Sequence, residues 1–134
     1  MSHVHYTPYP GVEKGLGSIP WIESAGSGSV KASLFYYGAV PWRAQHLLGA
    51  RIFTTQKRRD FNPKVLWTIR APGRGPTVKI RGTRLDGSGS FSATYPSAGY
   101  DYPSYVQVPH PGCWRVTVTS GRLIGRFVFA AINL

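Results

Sequence analysis

A chain of 134 residues, 42% of them hydrophobic, fits one domain with a core of its own, and folding at this length buries roughly two thirds of the unfolded surface. Sixteen Lys and Arg against five Asp and Glu give a formal charge of +11, a field that favours anionic partners such as nucleic acid, acidic polysaccharide or membrane head groups. The single cysteine, Cys113, excludes an intramolecular disulfide and a cysteine-based metal site, and no apolar run reaches membrane-spanning length.

In chain order, residues 1–30 read as an extended amino-terminal arm and 31–134 as the folded domain. Residues 1–10 hold no apolar stretch of the kind a signal peptide needs. His3 and His5 share one face of an extended segment, but with no acidic or thiol partner nearby they read as no metal site. Ile19-Pro20-Trp21-Ile22 is apolar and is expected to dock, and Gly26-Ser27-Gly28-Ser29 reads as a flexible link. Together they suggest an arm that packs on a neighbouring subunit of a homo-oligomer.

Strand signals dominate the rest. Ser33 to Tyr37 and Ala50 to Thr55 are short β-type runs. Val65-Leu66-Trp67-Thr68-Ile69-Arg70 is β-branched and aromatic, closed by Ala71-Pro72-Gly73. Val78 and Ile80 alternate with Lys79 and Arg81. Ser90 to Tyr95 and Tyr105 to Val108 follow. Trp114, Val116 and Val118 alternate with Arg115, Thr117 and Thr119 before Ser120-Gly121 turns the chain, and Phe127, Phe129 and Ala131 share one side of the last run. Only Trp42 to Ala50 carries any helical signal, and Gly49 weakens it. About eight short strands with turns roughly every ten residues predict an all-β fold, an antiparallel sandwich or a barrel.

Pro111-Gly112-Cys113-Trp114-Arg115-Val116-Thr117-Val118 resembles the proline–glycine–X–aromatic lead-in to the penultimate strand of bacterial immunoglobulin-like domains. Ile19-Pro20-Trp21, Leu34-Phe35-Tyr36-Tyr37, Lys64-Val65-Leu66-Trp67, Arg81 to Gly87 and Pro103-Ser104-Tyr105 extend the likeness over most of the chain. The set resembles an uncharacterised family of bacterial secreted proteins and lipoproteins. The resemblance implies an immunoglobulin-like antiparallel β-sandwich and an extracytoplasmic setting, secreted or surface-attached, with its leader absent from this numbering. The alternative setting is cytoplasmic. The resemblance implies nothing catalytic and no cofactor.

Catalytic equipment is sparse. Hydrolases commonly need paired carboxylates, and the acids are only Glu13, Glu23, Asp60, Asp86 and Asp101. Asp86 precedes Gly87 in a turn-forming stretch, and Asp60 sits among Lys57, Arg58, Arg59 and Lys64 as their counter-charge. No Gly-X-Ser-X-Gly elbow, His-Glu-X-X-His or phosphate-binding glycine loop occurs. His110 lies three residues before Cys113, but Pro111 and Gly112 intervene and nothing local lowers the thiol pKa. The chain therefore reads as a binding or structural module, not an enzyme.

Two surfaces carry the expected contacts. From Arg43 to Arg84 there are eleven basic residues and one acid, Asp60. The basic face is assigned to Lys57, Arg58, Arg59, Arg70, Lys79, Arg81 and Arg84, with Arg70 joining Lys79 and Arg81 if their strands pair. Such a face attracts polyanions with strong salt dependence; its plainer role is a solvated face that resists edge aggregation. The second surface is a tyrosine loop, Tyr95, Tyr100, Tyr102 and Tyr105 among Pro, Ser and Gly, the composition of adaptable recognition loops. The reading that follows is a non-catalytic module of the bacterial cell surface or an extracellular assembly, contacting anionic polymer, glycan or protein. The alternative is a basic β-barrel that binds nucleic acid.

Overall fold

The computed structural model describes residues 2–5, 19–26, 30–36, 49–54 and 63–133. These residues hold nine strands: β1 (Trp21–Glu23), β2 (Val30–Leu34), β3 (Arg51–Phe53), β4 (Lys64–Ile69), β5 (Thr77–Arg84), β6 (Ser90–Pro96), β7 (Asp101–Tyr105), β8 (Gly112–Ser120) and β9 (Leu123–Ile132). There is no α-helix among the described residues. Of the helical signal at Trp42 to Ala50, residues 42–48 lie outside the described residues, as do Lys57, Arg58 and Arg59; Gly49 bridges to His3 and Ala50 is not helical.

The strands form two sheets, ordered β1-β2-β4-β7 and β3-β9-β8-β5-β6. All pairs are antiparallel except β3 with β9. The all-β sandwich expected from the alternation is therefore present, with one more strand than the eight anticipated. Among the described residues the named strands fall in two sheets rather than one closed barrel, and single bridges, His3–Gly49, His5–Trp21 and Thr54–Val108, join segments at their margins. Two expectations shift in detail. Trp21–Glu23 is a strand of the first sheet, and the strand near Tyr105 occupies Asp101–Tyr105, with Val106 and Val108 buried beyond its end.

The core follows the two-residue period. Val78, Ile80, Trp114, Val116, Val118, Phe127 and Phe129 all point between the layers and are buried. Trp67 of β4 meets Phe127 of β9 across the layers with ring centroids 5.3 Å apart. Its indole N–H donates to Ser104 Oγ at 2.9 Å, which satisfies the one polar atom that ring brings into the core. β4 is buried on both faces, Leu66 and Thr68 included, as its unbroken apolar run suggests.

The amino-terminal segment closes one open side of the sandwich. The Ser2 N–H donates to the Val128 carbonyl at 2.8 Å, and the Val128 N–H donates to Ser2 Oγ at 2.9 Å. His5 exchanges two backbone hydrogen bonds with Trp21 and stacks on its ring at 4.3 Å. Val4 between them is buried in the main core. Trp21 and Ile22, 8% and 0% exposed, are spent inside their own chain and are not presented to a neighbouring subunit.

Candidate functional site

Alternation along β5, β8 and β9 sends every second side chain out of the five-stranded sheet. Registers then decide which of them meet. Arg81 pairs with Thr117, and Thr117 with Arg126, so Arg81, Thr117 and Arg126 form one straight row across three strands, with the two arginines about 10 Å apart at two strand spacings. Arg115 lies two residues along β8 from Thr117, and Lys79 two residues along β5 from Arg81. Four cations thus surround Thr117. Hydroxyls hold most neighbouring positions, Ser92 beside Arg81, Thr94 and Thr119 flanking Lys79, and Thr83 beside Arg115, while Val128 opposite Arg115 and the exposed Ile124 opposite Thr119 are apolar.

The four strands β5, β6, β8 and β9 contain no Asp or Glu. Among the described residues no carboxylate pairs with Lys79, Arg81, Arg115 or Arg126; the ion pairs there are Lys31–Glu23 and Arg84–Asp86. A shallow depression of about 320 Å³ lies over Lys79, Arg81, Thr117 and Thr119. A second depression, of about 690 Å³, runs from Arg115, Arg126 and Val128 to His3, His5 and Glu23. Outward positions on these strands carry no Phe, Tyr or Trp, because Phe91, Tyr95, Trp114, Phe127 and Phe129 occupy the alternate positions.

Of the residues assigned to the basic face from sequence, Lys79 and Arg81 lie together on it. Arg70 does not join them: it follows β4 in the other sheet, and β4 pairs with β2 and β7, not with β5. Arg84 lies at the end of β5 opposite Trp114, where its Nε–H donates to Asp86 Oδ1 at 3.1 Å. Arg115 and Arg126, absent from the sequence assignment, complete the cluster. Their signal was present in the two-residue turn Gly121-Arg122, which sets the β8–β9 register and so brings Arg126 opposite Thr117.

The tyrosine group divides. Tyr102 is fully buried, and its hydroxyl donates to the Gly75 carbonyl at 2.7 Å, so it belongs to the core rather than to a recognition loop. Tyr95 of β6 donates to the Tyr105 carbonyl at 2.8 Å, and burial pushes its phenol pKa above the ordinary value. The two flank a cleft of about 450 Å³ between the edge strands, lined also by Phe91, Ala93, Val106 and Gln107. Tyr100 and Tyr105 are 54% and 53% exposed. Tyr100 lies apart from that cleft, beneath the guanidinium of Arg74 at 4.6 Å from its ring centre and that of Arg70 at 5.7 Å.

Cys113 is half-buried at the start of β8. Its backbone N–H donates to Asp86 Oδ1 at 3.0 Å, and that bond, with Arg84 adding to it, holds the Asp86 carboxyl below its usual pKa. The carboxylate thus meets the cysteine's backbone. No hydrogen bond links the thiol to His110, whose carbonyl instead accepts from the Trp114 indole at 3.0 Å. Gly112 permits this arrangement: its φ is +139°, and a Cβ there would sit 2.7 Å from both Arg84 Nε and Asp86 Oδ1. No group of three or more His, Cys, Asp and Glu able to hold a metal occurs among the described residues.

Comparison with known proteins returns no match to a protein-family model, a curated protein or a solved structure.

Proposed function

We propose that this protein is a non-catalytic binding module that holds an acidic polysaccharide on the outer face of its five-stranded sheet. The observation that carries the reading is the quartet Lys79, Arg81, Arg115 and Arg126 around Thr117, on strands without a single carboxylate. An unneutralised cluster on a flat face draws a polyanion by counterion release, and the flanking Ser and Thr hydroxyls supply donors and acceptors for sugar hydroxyls. Single-stranded nucleic acid fits less well, since its binding relies on exposed aromatic platforms and the rings of these strands point inward.

The proposal extends to the fold: we read the sandwich as immunoglobulin-like. β4 and β7 pair in one sheet while β5, β6, β8 and β9 lie in the other. If β4 to β9 are taken as strands B, C, C′, E, F and G, the connections are those of an immunoglobulin-type Greek key. Such modules act by contact. The setting we assign is extracytoplasmic, on a bacterial cell surface or in an extracellular assembly.

The test is retention on an immobilised sulfated polysaccharide across a salt series. Four contacts predict a log–log salt slope of about 3 to 4 in magnitude. Replacing the quartet by Ser should abolish retention at physiological salt with the fold intact by circular dichroism. Retention by the quadruple variant equal to that of the parent would refute the assignment. Tighter retention on single-stranded DNA than on the polysaccharide would replace it with the nucleic-acid reading.

A further inference from the structure

The end of the sandwich where β4 turns into β5 holds a second cationic feature that the sheet face does not explain. Residues 70–76 there wrap a concavity of about 550 Å³ lined by Arg70, Pro72, Arg74, Pro76 and Tyr100, together with the backbone of Gly73 and Gly75. Two arginines converge on one exposed ring. The Arg74 guanidinium lies 4.6 Å from the centre of Tyr100 and Arg70 lies 5.7 Å from it. Arg74 Nη1 also donates to the Gly99 carbonyl at 2.7 Å, which leaves most of its fork of donors free. Arg122 braces the loop from behind through its backbone: its N–H donates to the Gly73 carbonyl at 2.9 Å. The nearest carboxylate in sequence, Asp101, accepts from Thr68 Oγ1 at 2.6 Å. No acidic residue lines the concavity.

The loop is held rigidly. Ser120 Oγ accepts from the Gly75 N–H at 2.9 Å, donates toward the Thr77 carbonyl at 2.8 Å and lies 3.2 Å from the Tyr102 hydroxyl. The Tyr102 hydroxyl in turn holds the Gly75 carbonyl. Gly121, φ +56°, lets the β8–β9 turn press against the loop; a Cβ there would lie 2.1 Å from the Gly73 carbonyl oxygen. A pair of guanidinium forks on a pre-set backbone suits a tetrahedral oxyanion, whose oxygens accept parallel N–H bonds. The apolar faces of Tyr100 and the two prolines suit a small ring attached to it.

We propose that Arg70, Arg74 and Tyr100 form a binding site for a phosphate or sulfate monoester of a small sugar, separate from the sheet face. The forks take the oxyanion and the ring packs on the tyrosine and proline side. Fixed loop geometry means little ordering cost on binding.

The test is titration of isotope-labelled protein with glucose 6-phosphate, glucose 6-sulfate and glucose at physiological salt. Amide shifts at Gly73, Gly75, Gly99 and Gly121 are the readout. Saturable shifts with at least one of the two esters and none with glucose are expected, and the tighter ester identifies the source of the oxyanion. The Arg70→Ser/Arg74→Ser variant should bind about tenfold more weakly or not at all. Arg74→Lys, which keeps the charge but loses the fork, should also weaken binding severalfold. Folding of each variant is checked by the unchanged dispersion of core amide signals. No saturable shift with either ester, or binding by Arg74→Lys equal to that of the parent, overturns the proposal. The sheet-face assignment stands or falls separately, because it is read by polysaccharide retention.

Discussion

The hydroxyl of Tyr102, on β7, donates a 2.7 Å hydrogen bond to the carbonyl of Gly75, in the loop joining β4 to β5. It ties an edge strand of one sheet to the loop that feeds the other. The tyrosine is fully buried, so water does not replace the bond when it is lost.

Tyr102→Phe should therefore destabilise the domain by about 1 kcal/mol, and Tyr102→Ala by about 3–5 kcal/mol, the larger figure including the cavity left by the ring. Denaturant unfolding with an unchanged m-value is the measurement. A neutral Tyr102→Phe would mean that Ser120, 3.2 Å from the hydroxyl, takes over the Gly75 carbonyl.

On the sheet face, Arg81 and Arg126 stand on either side of Thr117. The Arg81→Ser/Arg126→Ser variant should lower the salt slope of polyanion retention by about 2 while leaving thermal stability within about 0.5 kcal/mol. A slope that does not change would place the polymer elsewhere on the molecule.

The Asp86 carboxylate accepts from the Cys113 N–H and from Arg84, and its pKa is lowered by those bonds, the first most. A lowered folded-state value means that the contribution to stability is fully present above the unfolded carboxyl pKa of about 3.9. It is lost as pH falls through the lower folded value. Asp86→Asn should flatten the acid limb of the stability curve in that window, and the Cys113 amide shift should titrate with the same midpoint. An amide shift that stays constant as the carboxyl titrates through its folded pKa would disprove the coupling.

Val4 is buried beneath the segment that spans from Val128 to Trp21. Val4→Asp places an unpaired charge in that layer and should cost more than about 3 kcal/mol. Hydrogen exchange at the Val128 amide should rise along with it. A mild effect would show that the segment adds little to the sandwich.

Period-two alternation makes most of the fold legible in the sequence. Val78, Ile80, Trp114 and Phe129 pointed inward as their spacing required. β1 escaped because three residues are too few to show a period, and its pairing with β2 and His5 is a long-range fact. The basic site was only half legible. Lys79 and Arg81 share a strand and hence a face, whereas Arg115 and Arg126 reach them only through inter-strand register. Arg70 lay close to them in sequence but belongs to the other sheet. Tyr102 was misjudged because its Pro, Ser and Gly neighbours look like a loop. The alternation Tyr102-Pro103-Ser104 was the better guide, for Tyr102 and Ser104 are the inward pair.

The bonds between Ser2 and Val128 join residues separated by 126 positions. Closing so long a loop is slow and comes late in folding. During synthesis at about 5–20 residues per second, the amino-terminal segment waits roughly 6–25 s for its partner strand to be made. For that interval the side of the sandwich it will cover stays open, and Val4 has no pocket to enter. Residues 2–5 are thus made well before the strand they fasten to, yet are among the last to find their place, a clasp that finishes the sandwich.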